Sequence, residues 1–178
     1  MDLDILRRME ATNRERWKSV NGYADYEISS CGRVRNATTE RMLKPSDHGY
    51  QVINLTKNGK PKQHYVHRLV AEAFIDNPEE KRCVDHIDGN RVNNHLENLR
   101  WATHTENSRN QRIQTNTSSR YKGVYLDKRR NKWMVRINTI SKTVFLGYFT
   151  NEREAGIAYN LAAVKYFKQF ANLNVFED

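Results

Sequence analysis

The sequence predicts an α+β protein with a small antiparallel sheet near the N-terminus, a central strand-loop-strand-helix unit, and a three-stranded antiparallel sheet packed on one helix. From Trp17 onward, short apolar and aromatic runs are separated by turn pairs such as Asn58-Gly59, which is typical of antiparallel hairpins. Apolar residues recur at helical spacing over 66–74 and 155–167, which indicates two amphipathic helices. The length of 178 residues suits one domain or several small ones.

The N-terminal part is predicted to form a small antiparallel sheet, joined by the Asn58-Gly59 hairpin to a strand that begins near Gln63. A helix that starts at Val66 is expected to end before Asn77-Pro78. The three runs predicted as strands of this sheet are 26–29, 33–35 and 50–55.

The central unit begins with a short strand that ends near His86. A polar loop over 89–95 follows, and 98–102 is predicted as the returning strand. Thr103 and Glu106 then have the spacing of a capping box, which begins a helix.

Composition favours a polyanionic partner. The chain has 30 Lys and Arg against 21 Asp and Glu, a net charge of +9, and this charge attracts nucleic acid over long range. A solvated basic surface is the alternative. No apolar run approaches the roughly 18 residues of a membrane span, and the first nine residues lack a signal-peptide core, so a soluble, unexported protein without a membrane partner is expected.

The two cysteines, Cys31 and Cys83, form no C-x-x-C pair. This excludes a thiolate zinc framework and a disulfide scaffold, and both are expected to be buried, reduced thiols.

The residues Asp85, His86, Asn98 and Asn107 suit metal-assisted phosphodiester hydrolysis. Such a reaction needs a base for the attacking water and a cation to stabilise charge on the phosphate. The imidazole of His86 is the natural base. Asp85 and Asn107 offer hard oxygen atoms, which favour one divalent cation, Mg²⁺ or Mn²⁺. Because adjacent strand residues point to opposite faces, Asp85 and His86 share a site only where the strand ends or bulges.

Asn98 follows His86 by 12 residues and Asn107 follows Asn98 by 9. This pattern resembles the HNH, or ββα-metal, nucleases of the phage and intron homing-endonuclease type. The resemblance implies that His86 is the general base, that Asn98 holds the active-site loop, and that Asp85 and Asn107 bind the metal. Asn107 stands where many members have His.

Several neighbours are candidates for secondary roles. His104 lies three residues before Asn107 and is predicted on the same helix face, as an auxiliary ligand or phosphate contact. Arg91 is the first of three arginines, with Arg100 and Arg109, that could grip a phosphate. Three other loop residues compete with Asn98 for the loop-bracing role, namely Asn90, Asn93 and Asn94.

Residues 118–148 hold eight basic side chains and one acidic one, which favours a sheet that enters the DNA major groove. Runs such as Tyr121-Lys122-Gly123-Val124 and Phe145-Leu146-Gly147-Tyr148 make residues 120–175 similar to the plant ethylene-response-factor DNA-binding domain. Trp133, Leu146, Tyr159 and Leu173 are expected in its core. The predicted DNA-contacting residues are Lys122, Tyr125, Arg129, Arg130, Lys132, Arg136, Asn138, Thr143 and Phe145.

The segment with Trp17, Tyr23 and Gly32 to Arg35 resembles a small module that precedes the nuclease motif in phage and intron-borne endonucleases. Arg33 and Arg35 are its predicted DNA contacts, although a solvated sheet face explains them equally well. The predicted organisation is a leader (1–16), an N-terminal DNA-binding, endonuclease-associated module (17–62), the HNH nuclease (63–112), a linker (113–118) and an ethylene-response-factor-like domain (119–178).

Together these features predict a metal-dependent, site-directed endonuclease for double-stranded DNA, of mobile-element or phage origin. It is expected to nick one strand as a monomer in the cytoplasm of a bacterial host, with no obligate protein partner. Two alternatives stay open: a sequence-specific DNA-binding regulator with an inactive nuclease centre, and a less specific phage nuclease. Deletion of 119–178 is expected to lower DNA affinity and leave the chemistry intact.

Overall fold

The computed structural model describes residues 15–47, 49–110 and 117–176. Most of the predicted leader and residues 113–116 of the predicted linker lie outside these ranges. The chain divides into two compact units, Met1–Trp101 and Ala102–Asp178. The division falls 11 residues before the predicted linker, so the short helix after Thr103 belongs to the second unit.

The first unit contains nine strands and one α-helix among its described residues. Three sheets are present: a four-stranded one of order β1-β2-β3-β4, a three-stranded one of order β5-β6-β7 and the two-stranded pair β8-β9. The elements are β1 (Trp17–Val20), β2 (Tyr23–Ser29), β3 (Val34–Asn36), β4 (Met42–Leu43), β5 (Ser46–Asp47), β6 (Gln51–Lys57), β7 (Lys60–Tyr65), α1 (Val66–Phe74), β8 (Cys83–His86), a 3-10 turn (Leu96–Asn98) and β9 (Leu99–Ala102).

The strands predicted as one N-terminal sheet therefore lie in two antiparallel sheets. Pro45 stands between β4 and β5, and a proline has no N–H to continue a strand ladder. The hairpin between β6 and β7 is confirmed, since Lys57 pairs with Lys60 across Asn58 and Gly59. Both turn residues have positive φ, 52° and 73°, as a two-residue hairpin turn requires.

The core of the first unit lies between α1 and the two larger sheets. Helix α1 ends at Phe74, before Asn77-Pro78 as predicted. Its buried side chains pack against buried apolar residues of the strands. The buried core side chains are Val20, Ile28, Val34, Ile53, Leu55, Val66, Leu69, Val70 and Leu99.

The second unit contains a three-stranded sheet and a long helix, together with the short helix α2 (His104–Arg109). The sheet has the order β10-β11-β12, and α3 covers one of its faces with Ala155, Tyr159 and Ala163. Leu173 was expected in this core, but 44% of it is exposed. The elements are β10 (Val124–Asp127), β11 (Lys132–Asn138), β12 (Thr143–Phe149), α3 (Glu152–Phe167) and a 3-10 turn (Lys168–Phe170).

The predicted α+β class is confirmed. None of the helices in the described ranges is both long and apolar enough to cross a membrane.

Candidate active site

Strand β8 ends in the two residues that the sequence assigns to the chemistry. Asp85 and His86 are 4% and 5% exposed, and the chain turns directly after them, with the Gly89 amide donating to the His86 carbonyl at 2.9 Å. The Ile87 amide donates to the Asn98 carbonyl at 2.8 Å. The strand thus ends at the position where the sequence required an end or a bulge.

The carboxylate of Asp85 is held by an arginine of the neighbouring strand. Arg100 donates to Asp85 Oδ2 from both Nε (2.8 Å) and Nη2 (2.6 Å). Both side chains are largely withdrawn from solvent, where charge-assisted hydrogen bonds are strong. The sequence treated Arg100 as a phosphate contact and did not predict this pairing.

Asn98 closes the loop that follows His86. Its Oδ1 accepts from the Asp88 amide at 3.0 Å, and its Nδ2 donates to Asp88 Oδ1 (2.9 Å) and to the Asn93 carbonyl (2.8 Å). Burial by itself would raise the pKa of the Asp88 carboxyl. Hydrogen bonds from Asn93, Asn90 and Asn98 outweigh this effect and lower the pKa. One amide therefore ties the beginning of the loop to its middle.

A second amide, Asn94, contacts His86 directly. Asn94 is 2% exposed, its Oδ1 lies 3.0 Å from His86 Nε2, and its Nδ2 donates to Gln51 Oε1 at 2.9 Å. Among Asn90, Asn93 and Asn94, the alternatives to Asn98 as the brace of the loop, Asn94 is the residue that contacts the His86 imidazole. Gln51 was missed, because it lies 43 residues from Asn94 and no local pattern joins them.

Two aromatic rings, those of His67 and Tyr50, lie near the His86 ring. The His67 ring centroid lies 5.1 Å from that of His86, and Tyr50 lies 5.2 Å from His67. The Arg91 guanidinium is placed 4.9 Å from the Tyr50 ring centroid. Burial, followed by the charges of His86 and Arg68, lowers the pKa of His67 to about 4. His67 is therefore neutral near pH 7.

This shift predicts that the first unit loses stability in acid. In the unfolded chain His67 takes up a proton once the pH falls below its ordinary pKa of 6.5, whereas in the folded chain it does so only near pH 4. The stability that depends on neutral His67 is therefore fully present above pH 6.5 and is lost as the pH falls from 6.5 to about 4. We expect the free energy of unfolding to be about 2 kcal/mol lower at about pH 5 than at about pH 7 from this group alone.

Native-state hydrogen exchange of the α1 amides measures this change. His67→Phe keeps a ring and removes the titration, and Nδ1 of His67 has no hydrogen-bond partner among the described residues, so the variant loses no side-chain hydrogen bond there. An equal loss of stability in wild type and His67→Phe would contradict the prediction.

The predicted second ligand lies on α2. Thr103 caps this helix as expected: Thr103 Oγ1 accepts from the Glu106 amide at 3.2 Å, and Glu106 Oε2 accepts from the Thr103 amide at 2.8 Å. Asn107 consequently lies in the first helical turn, and its amide donates to the Thr103 carbonyl at 2.9 Å. His104 is the first residue of the helix.

The open face of the second unit's sheet carries most of the predicted DNA contacts. On β11, Val135 and Ile137 are buried, whereas Lys132, Arg136 and Asn138 are exposed. Cations lie over rings on this unit, with Arg136 4.5 Å from the Tyr125 centroid and Arg130 5.0 Å from that of Tyr148. The other predicted contacts of this face, Arg129, Thr143 and Phe145, are exposed as well.

Several predicted DNA contacts have intramolecular partners, among them Arg130, whose Nη1 donates to Asp127 Oδ2 at 2.9 Å. Lys122 Nζ donates to the Arg109 carbonyl at 2.6 Å, and burial lowers the pKa of its ammonium group. Arg33 pairs with Glu15, and Arg35 Nε donates to Glu27 at 2.7 Å. We therefore omit Lys122 from the DNA-contacting set, because its ammonium group caps the end of α2.

The residues at the end of β8 fit a hard divalent cation, with one constraint. The described ranges contain no group of three or more His, Cys, Asp or Glu side chains that could hold a metal ion, and Asp85 is the one carboxylate that the sequence assigned as a ligand. Mg²⁺ is commonly bound by one or two carboxylates, with water and substrate phosphate as the remaining ligands. The guanidinium of Arg100 already occupies one side of that carboxylate.

Family models match two segments of the chain. The HNH endonuclease model matches residues 64–109, and the NUMOD4 motif matches residues 15–56. The chain thus contains an HNH endonuclease domain preceded by a NUMOD4 motif, which confirms the HNH resemblance and the endonuclease-associated segment.

Two viral proteins are among the relatives of this chain. The DNA endonuclease I-HmuI of Bacillus phage SP01 is 46% identical over 81 residues, which are 43% of this chain and 46% of that protein. An HNH endonuclease of Acanthamoeba polyphaga mimivirus is 43% identical over 79 residues, 44% of this chain and 24% of that protein. The matches span about half or less of these relatives.

A solved structure supports the same fold. The structure described as DNA binding and cleavage by the HNH homing endonuclease I-HmuI aligns with a TM-score of 0.52 and 28% identity, covering 86% of this chain and 91% of that chain.

Proposed function

We propose that the chain is a metal-dependent, site-directed DNA endonuclease of the homing type, which nicks one strand as a monomer. The observation that carries the proposal is the buried pair Asp85 and His86 at the end of β8, beside a loop closed by Asn98 and inside the segment that matches the HNH endonuclease model. The relative I-HmuI is named a DNA endonuclease, which supports the same substrate.

In this proposal His86 removes the proton from the attacking water, and Asn98 keeps the loop in the shape that admits the phosphate. Asp85 orients one divalent cation, Mg²⁺ or Mn²⁺, which supplies electrostatic stabilisation of the charge on phosphate and leaving oxygen when bound. Asn107 is the proposed second ligand, on the basis of its spacing and its place in a capped helix. His104 and Arg91 are proposed to assist by contacting phosphate.

We propose that the sheet of the second unit finds the DNA, in the manner of an ethylene-response-factor domain. Its open face is basic and carries exposed rings, and a β element of this width enters the major groove. Arg33, Arg35 and Arg130 are supported less well, because an acidic side chain already pairs with each of them. The proposed contacts are Tyr125, Arg129, Arg130, Lys132, Arg136, Asn138, Thr143 and Phe145.

A plasmid nicking assay tests the function. Supercoiled DNA should be converted to the open circle with Mg²⁺ or Mn²⁺ and should survive in a chelator. Binding without cleavage would favour the regulator with an inactive centre. Mapping of the cut positions on a large genome separates the remaining two functions, because a site-directed enzyme cuts at few positions and a less specific nuclease leaves scattered ones.

A further inference from the structure

Two amides connect the imidazole of His86 to the N-terminal sheets. His86 Nε2 lies 3.0 Å from Asn94 Oδ1, and Asn94 Nδ2 donates to Gln51 Oε1 at 2.9 Å. Asn94 and His86 are both more than nine-tenths buried, so water competes little for these bonds. Gln51 begins β6 and lies outside the segment that matches the HNH endonuclease model.

The direction of these bonds decides which imidazole nitrogen is basic. A side-chain carbonyl oxygen only accepts hydrogen bonds, so contact with Asn94 Oδ1 requires the proton of a neutral His86 to reside on Nε2. The lone pair that can take a proton from water then resides on Nδ1. If the Asn94 amide were reversed, its NH₂ group would face Nε2 and stabilise the opposite tautomer.

The orientation of Asn94 is in turn set from the N-terminal segment. Gln51 accepts from Nδ2, which turns Oδ1 toward His86. The backbone of the same segment holds Asn94 in position: a Cβ added to Gly32, where φ is +80°, would lie 2.8 Å from Asn94 Cβ, and the Leu96 amide donates to the Ser30 carbonyl at 2.8 Å. The approach of these two backbones requires a residue without a side chain at position 32.

We propose that Gln51 is a positioning residue for His86, acting through Asn94 to hold the Nε2–H tautomer and leave the lone pair on Nδ1. This inference rests on the proposed role of His86 as the general base. It gives the NUMOD4 segment a part in the chemistry, whereas the sequence assigned it to DNA binding.

Three variants test the proposal. Gln51→Leu keeps the size of the side chain and removes the acceptor. It should lower kcat by about 10- to 100-fold, as the loss of an orienting partner does, with KM for DNA unchanged. Gln51→Glu should restore kcat to within about threefold of wild type, because a carboxylate can only accept and so keeps Asn94 in the same orientation. Gln63→Leu makes the same substitution at an exposed position on β7 and should leave kcat unchanged.

The tautomer itself gives a second readout. Long-range ¹H–¹⁵N spectra in mildly alkaline buffer should show Nε2–H for His86 in wild type and Gln51→Glu, and a share of Nδ1–H in Gln51→Leu. The proposal would be overturned if Gln51→Leu kept the wild-type kcat, or if kcat fell equally in Gln51→Leu and Gln51→Glu. It would also be overturned if the spectra of the wild type showed the His86 proton on Nδ1. If the wild type cleaves no DNA, the spectra still report the tautomer, so failure of the function and failure of the positioning role are distinguishable.

Discussion

Replacement of His86 by alanine is expected to lower the rate of DNA nicking by about 10²- to 10⁴-fold, the usual contribution of a general base. This range corresponds to about 3–5 kcal/mol in the activation barrier. Affinity for DNA should stay within about twofold, because the open sheet of the second unit is proposed to supply most of the phosphate contacts. Single-turnover nicking with Mg²⁺, paired with a filter-binding titration, measures both quantities.

Controls separate chemistry from folding. His95→Ala removes an exposed imidazole from the same loop region and should nick at the wild-type rate. His86→Gln fills most of the volume that the alanine variant leaves empty, and its α1 amides should exchange as in wild type while nicking stays low. Equal nicking by wild type and His86→Ala would remove His86 from the catalytic role.

Local patterns predicted the parts of the site that depend on neighbours in sequence. The capping box at Thr103 and the hairpin at Asn58-Gly59 were found because each motif needs only a few adjacent residues. The end of β8 at His86 followed from the turn residues after it. These features are fixed by backbone preferences, which a single sequence displays directly.

The side-chain partners in the site could not be predicted in this way. Arg100 pairs with Asp85 across neighbouring strands, and His67 reaches the His86 ring from α1. Such contacts depend on packing between elements that are far apart in sequence, and an Arg or His in a basic chain looks the same whether it is paired or solvated. The sequence therefore supplied the proposed reacting groups without the residues that orient them.

Helix α2 was predicted to belong to the nuclease segment, but it lies in the second compact unit. A helix of six residues is too short to be stable by itself, and the contacts that hold the end of α2 come from the second unit. Lys122 Nζ donates to the Arg109 carbonyl at 2.6 Å, Asn172 Nδ2 donates to the Asn110 carbonyl at 2.7 Å, and the Arg109 guanidinium lies 4.7 Å from the Phe167 ring centroid. Residues 119–178 thus support the helix that carries Asn107.

Deletion of 119–178 is accordingly expected to reduce kcat as well as affinity, in contrast to the expectation from sequence. If Asn107 acts as a metal ligand, loss of its position should lower kcat by about 100-fold, the effect of a misplacement of about 1 Å. Single-turnover nicking at saturating DNA measures this loss apart from weakened binding. If the truncated chain kept the kcat of wild type, α2 would not need residues 119–178 for its position.

Paired variants separate the two roles of the second unit. Lys122→Met with Asn172→Leu removes the bonds to the end of α2 and should lower kcat while the salt dependence of binding is kept. Arg129→Ser with Lys132→Ser removes two exposed charges and should keep kcat, weaken binding and reduce the slope of log affinity against log salt by about 2, one unit for each lost phosphate contact. The same pattern of effects in both pairs would contradict the separation, because support of α2 and contact with DNA would then depend on the same residues.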